Sequence, residues 1–327
     1  MLSVRVIAPR ETCRAVTEIV KADPTVANLA VVRGATLDGG GDLVLFDVAR
    51  ENANEVIGAL RGLGIESSGS ITLTEPLAVI SLAADRAEEE APGHPADGVV
   101  WDQIEDQARN DARPSWSFMV FLVLATLIAG IGRYLDQPIL IIAAMVVGPE
   151  FAPVAAICIA LARRRLRLVP EAALTLIGGF AIATVFSWAV WAIAYAFGAI
   201  DRERATTGPL TEFIVSPDIW SFLIALLAGC AGVLSLTTAK SSALVGVFIS
   251  VTTVPAVGTI ALTLAVGEWG EAWSSLIQLG INLLGLLVAG TVTLLVQRFA
   301  WERFGRMRPR PAHRGRRAAA APPPSRP

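Results

Sequence analysis

The sequence predicts an α-helical polytopic membrane protein with an N-terminal α+β domain of the ferredoxin-like kind, and three observations predict it. Beyond Trp116 the chain is built from apolar runs of about 20 residues or more, the length a helix needs to cross a bilayer at ~1.5 Å per residue. Residues 1–84 instead switch between strand-like and helix-like periods. Between them, residues 85–115 turn polar, with Glu88, Glu89 and Glu90 followed by prolines and glycine. The mean hydropathy of +0.57 over 327 residues is therefore an average of unlike parts.

The N-terminal elements follow in order. Ser3 to Ala8 reads as a strand, Glu11 to Ala22 as a helix with Cys13, Val16, Ile19 and Val20 on one face, and Ala27 to Arg33 as a second strand. Gly34 to Gly41 makes a hairpin into a third strand over Asp42 to Ala49. A helix over Glu51 to Leu63 and a fourth strand over Ser67 to Glu75 complete the order βαββαβ, the split βαβ pattern. The glycine-rich loop leads into a strand and not a helix N-terminus, which favours a flexible hairpin over a phosphate cradle. In the linker, His94 is read as solvated. Val100, Trp101, Ile104 and Ala108 share one face of a short helix suited to a membrane surface or to docking on the N-terminal domain, with Asp102, Glu105, Asp106, Arg109 and Asp111 elsewhere.

Six spans can be drawn in residues 116–297: Trp116 to Leu135, Pro138 to Leu161, Pro170 to Phe197, Ile219 to Thr238, Ala243 to Val266 and Ala272 to Gln297. Arg163, Arg164, Arg165 and Arg167 follow the second, and the tail over 298–327 is rich in arginine. Positive residues stay inside, so both termini are expected in the cytoplasm of a bacterial inner-membrane protein, with the tail a disordered electrostatic anchor. Trp116, Trp220, Trp269, Trp273 and Trp301 fall at span ends, as interfacial anchors do. The first and fourth spans start 103 residues apart and the third and sixth 102, as are Pro153 and Pro255, which suggests a 3+3 inverted repeat; six similar helices spaced by coincidence is the alternative. Gly178 and Gly179, Gly229 and Gly232, and Gly285 and Gly290 suggest close helix packing.

The chemistry concentrates in the second span, in Met145, Val146, Val147, Gly148, Pro149, Glu150, Phe151, Ala152, Pro153. An acid at that depth costs at least ~2.5 kcal/mol and should face protein or water, which makes it a functional candidate. Pro149 and Pro153 lack amide hydrogens, so the carbonyls of Met145 and Pro149 are expected to lose their helical partners. In the fifth span Pro255 frees the carbonyl of Val251, beside the hydroxyls of Ser250, Thr252 and Thr253. Together these are hard oxygen ligands suited to a proton or a hard cation. The plainer alternatives are a proline kink with a paired or protonated Glu150, and hydroxyls bonded back to their own helix. Lys240, at the turn after the fourth span, either snorkels or guards the site. Asn282 and Gln278, four apart on the sixth span, suit interhelical hydrogen bonds.

Ala144 to Pro149 with Pro153, then Ala239, Lys240, Ser241, Ser242, Ala243, Leu244, Val245, Gly246 and Val247, followed by Pro255 and Asn282, resembles the bacterial membrane family called domain of unknown function family 389. The resemblance covers most of Trp101 to Gln297. It departs after Pro255, where many members carry a second proline and this chain has Ala256. It implies a hydrophobic multi-span protein with a small soluble domain, and it supplies no activity or site residues.

The sequence holds no nucleophile elbow, paired-histidine metal motif or helix-leading phosphate loop, so no catalytic, metal or cofactor site is expected and the chain does not read as an enzyme. Cys13, Cys158 and Cys230 read as reduced packing residues. Met1 to Pro9 is too short an apolar stretch for a signal peptide. The segregated charge gives no support to nucleic-acid binding. The expectation is a secondary transporter or channel for a small ion or solute, a homo-oligomer in the lipid bilayer with a trimer slightly preferred over a dimer, regulated by its N-terminal domain, which would bind a small-molecule ligand or pair with its copies. The alternative is a membrane-anchored ligand sensor or scaffold.

Overall fold

The computed structural model describes residues 1–37, 41–91, 98–214, 219–237 and 253–300. The N-terminal domain runs β1 (Leu2–Pro9), α1 (Arg10–Ala22), β2 (Val26–Val32), β3 (Gly41–Val48), α2 (Ala53–Gly62), α3 (Ile65–Ser68) and β4 (Ser70–Thr74). Its four strands form one antiparallel sheet in the order β2-β3-β1-β4, with Val4 opposite Phe46 and Val6 opposite Val44. This is the order a split βαβ produces, because α1 and α2 each carry the chain across the sheet to leave room for a strand between. Leu2, Val4 and Val6 alternate inward along β1 and meet Val16 and Val20 of α1 and Val56, Ile57 and Leu60 of α2. Each such side chain contributes about 1.5–3 kcal/mol by leaving water. The Cys13 thiol lies in this core and donates to the carbonyls of Ala8 and Asp42; burial pushes it up, consistent with a packing role.

The polar segment from Asp85 does not begin as a linker. It is part of α4 (Leu82–Glu90), whose Ala84 and Ala87 pack with Ala27 of β2. After it, α5 (Trp101–Asp111) docks neither on a free membrane surface nor on the N-terminal domain alone. Trp101, Ile104 and Ala108 join the apolar core of the helices that follow, while Val100 belongs to the N-terminal core.

The helical domain comprises α6 (Trp116–Tyr134), α7 (Pro138–Val147), α8 (Phe151–Ala162), α9 (Leu168–Ala196), the short α10 (Arg202–Thr206), a turn of 3-10 helix over Glu212–Ile214, α11 (Ile219–Thr237), α12 (Val254–Ala265) and α13 (Trp269–Ala300). Four of these, α6, α9, α11 and α13, are long and apolar enough to cross a membrane, and α7 with α8 makes a fifth if the pair, bent by 56°, is one span. The fifth predicted span appears only as its second part, α12, at 12 residues too short to cross alone; residues 238–252 lie outside the described ones, as does the tail from 301.

The short helices are the centre. From Pro153 to Ala160 and from Val254 to Thr263, α8 and α12 are buried on every side, as a helix apolar all round must be. α12 packs against α6, α9 and α13, and α8 against α9 and α13. The long helices keep apolar side chains outward, among them Leu174, Ile177 and Val185 of α9, and Trp116, Trp220, Trp269 and Trp273 stand exposed near helix ends. Close packing rests on glycine: Gly179 abuts Phe118, Gly229 the backbone of Leu286, and Gly290 the Cys158 sulfur, whereas Gly178 faces open space. A close approach of α6 and α12 involves Gly258 of α12, where a methyl group would lie 2.7 Å from the Ala129 Cβ and 2.8 Å from the Thr126 carbonyl oxygen of α6.

Gly258→Ala is therefore expected to push α6 and α12 apart, costing about 1–3 kcal/mol and lowering the thermal midpoint of the purified protein. Gly178→Ala, made where there is room, is expected to leave it unchanged or raise it.

Candidate functional site

The α7–α8 pair breaks at Gly148, Pro149 and Glu150. Proline at 149 leaves the Met145 carbonyl without its helical donor, and the Gly148 amide closes α7 on the Ala144 carbonyl at 3.0 Å. Gly148 then turns extended at φ −66°, ψ 126°, and Glu150 takes the N-cap of α8. One expected free carbonyl is not free: that of Pro149 accepts from the Ala152 amide at 3.2 Å, because the first turn of α8 tightens around the break.

Glu150 is 2% exposed. Its carboxylate folds back over Gly148, close enough that a methyl there would overlap it, and its Oε1 accepts the Thr253 hydroxyl at 2.9 Å. Thr253 is the N-cap of α12, and Val254 packs over Gly148 from the same side. Two helices thus begin side by side at this carboxylate. From there α8 runs to the end of the bundle that meets α5, and α12 to the opposite end, where Val266 packs with Trp191, Ile200 and Ala205. The positive ends of both helix dipoles lie near the acid, and the last carbonyls of α7 face the same break.

The other expected residues divide. Met145, Pro153 and Pro255 are buried around the break and Pro149 is half-buried in it. Asn282 is fully buried on α13, on one face with Gln278 and Gly285. Ser250, Val251, Thr252 and Lys240 lie outside the described residues. Among the described residues no group of three or more His, Cys, Asp or Glu stands together as a metal site would. In the N-terminal domain a cavity of about 560 Å³ opens beside the hairpin, lined by Ile7, Ala8, Thr36, Gly41, Ser68 and Gly69 among others.

Two charged residues stand out only in the structure. Arg133, at the far end of α6, is 1% exposed. It donates to the carbonyls of Thr206 and Gly208 at 3.0 and 3.1 Å and to the Thr211 hydroxyl at 2.9 Å, with Glu271 at 3.6 Å. Asp136 fixes the same loop by accepting from the amides of Leu210 and Thr211. An arginine inside an apolar run was the signal for it. Glu105 of α5 is also buried, among Arg109, Arg163 and Arg165. It lies next to Ile104, at the edge of a helix face that reads as polar.

Gly148→Ala is expected to displace the Glu150 carboxyl group and break its bond to Thr253, lowering the thermal midpoint where Gly178→Ala does not. Arg133→Gln removes the guanidinium from the loop over 202–214 and is expected to cost about 3 kcal/mol or more. Its readout is faster tryptic cleavage after Arg202 and Arg204 in the purified protein.

The model of the family described as "Domain of unknown function (DUF389)" matches residues 145–288, from Met145 before the break to the middle of α13. An uncharacterized protein of the archaeon Methanocaldococcus jannaschii is 25% identical over 242 residues, which covers 74% of this chain and 72% of that protein. No solved structure matches. The match spans the Glu150 break, α8, α9, α11, α12 and the first part of α13, and over these residues the chain is similar to the DUF389 family.

Proposed function

We propose that this protein is a secondary transporter or channel for a small ion or solute, with Glu150 at its permeation or coupling site and the N-terminal domain as its regulator. The observation that carries the reading is the 2.9 Å bond from Thr253 to Glu150, which joins the starts of two buried half-helices. Non-helical backbone at membrane depth is tolerated only inside protein or along a water-filled path, and secondary transporters place coupling ions at such interruptions. A carboxylate, a hydroxyl and the carbonyl ends of α7 are hard oxygen ligands, which suit a proton or a hard cation better than a soft metal.

The inverted repeat belongs to the same proposal. α6 and α11 are 19 residues each and α8 and α12 are 12 each, and in both pairs the second helix starts and ends 103 residues after the first. By that offset the counterpart of α7 falls at 241–250, outside the described residues, and would complete six spans. The arginines after α8 support a cytoplasmic N-terminal domain in a bacterial inner-membrane protein. Assembly as a homo-oligomer, a trimer before a dimer, is part of this reading. A second reading, in which the helical part only anchors a ligand sensor, draws support from the cavity of about 560 Å³ beside the hairpin.

Proteoliposomes separate the two. Flux of protons and alkali cations is expected with the intact protein and is expected to fall about tenfold or more in Glu150→Gln at equal insertion, a loss of over 1 kcal/mol of barrier lowering. Undiminished flux in the variant would remove Glu150 from the mechanism. No flux with either protein, against small-molecule binding to the full chain, would favour the sensor.

A further inference from the structure

Among the described residues, α5 joins the N-terminal domain to the broken helix. On one side its lead-in is held by the N-terminal domain: Arg50 Nε donates to the Gly98 carbonyl at 2.7 Å, Asn54 Nδ2 to that of Val99 at 2.6 Å, and the Trp101 amide donates to Asn54 Oδ1 at 3.1 Å. Arg61 pairs with Asp102 on the first turn. On the other side α5 grips the end of α8. Glu105 Oε2 lies 3.4 Å from Arg163 and Oε1 lies 3.0 Å from Arg165 and 3.8 Å from Arg109. Arg163, the C-cap of α8, also stacks over the Trp101 ring at 5.7 Å. The carboxylate is 5% exposed, so the arginines are what make its burial tolerable. From that grip α8 runs as a rod of 12 residues, ~18 Å, to its N-cap at Glu150.

We propose that α5 is the coupling element through which the N-terminal domain sets the position of α8 and, with it, the Glu150 carboxylate, and that Glu105 is the positioning residue of this coupling. The inference rests on Glu150 as the functional centre and names the route by which it is regulated. Neutralising Glu105 frees two arginines at the C-terminus of α8, where cations already sit favourably against the helix dipole, and releases α5 from them. The effect of that release then appears at the far end of the rod.

The test is amide hydrogen exchange on the full chain in lipid nanodiscs, which needs no transported solute. Glu105→Gln keeps the shape and removes the charge; Arg165→Gln removes the nearest partner from the other side; Asp106→Asn changes an exposed acid one residue along the same helix. The first two are expected to speed exchange about threefold or more not only in residues 101–111 and 160–167 but also in residues 151–156 beside Glu150, while Asp106→Asn matches the wild type. Acceleration confined to α5 and residues 160–167, or absent, would overturn the coupling. Because flux is read separately, a coupled but non-conducting protein would count against transport alone, and a conducting but uncoupled one against this inference alone.

Discussion

A carboxylate buried at 2% exposure has to be met by other polar groups, and in this fold that requirement is served by interrupting helices. Burying a polar group costs free energy unless it is hydrogen-bonded, and more so if it is charged. An unbroken helix has no spare donors to offer. A proline at 149 stops α7, glycine at 148 leaves room for the carboxylate to turn back, and the start of α12 brings a hydroxyl to it. Such a break would be costly in lipid, and the short helices around it are packed against α6, α9 and α13, with apolar side chains on the outer faces of the long helices.

The two ends of the bundle are fastened by charge in different ways. At the far end, Arg133 reaches from α6 into the loop over 202–214 and satisfies carbonyls that no helix can. Its guanidinium is suited to this, since it offers donors in several directions from one fixed plane. At the near end, a glutamate on α5 gathers arginines from the turn after α8. The first ties a connecting segment to α6, and the second ties α5 to the end of α8. The chemistry of the break itself stays local, in the few atoms around Glu150 and Thr253.

Much of this was legible in the residues, for physical reasons. Period-two alternation in Leu2, Val4, Val6 and Ala8 and the 3.6-residue spacing of Cys13, Val16 and Val20 are what a sheet and a helix sharing one core must show, and the strand order follows from the element order. The break was legible because proline cannot donate and an acid in an apolar run needs a reason. The pairing of Glu150 with Thr253 was not, since the two are 103 residues apart and only packing joins them. The Pro149 carbonyl was misjudged because a helix can recover a lost bond by tightening one turn. Glu105 was assigned to the polar face by amphipathicity, which sorts residues by water and apolar surface and takes no account of arginines arriving from another helix.

The central claim is that the starts of α8 and α12 meet through Glu150 and Thr253. A double-mutant cycle measures it: thermal or denaturant unfolding of the wild type, Glu150→Gln, Thr253→Val and the double variant in one detergent. For a hydrogen bond to a buried carboxylate the predicted coupling is about 1.5–3 kcal/mol, with the two single losses far from additive. Additive losses would mean that the two residues do not depend on each other, and would contradict the account.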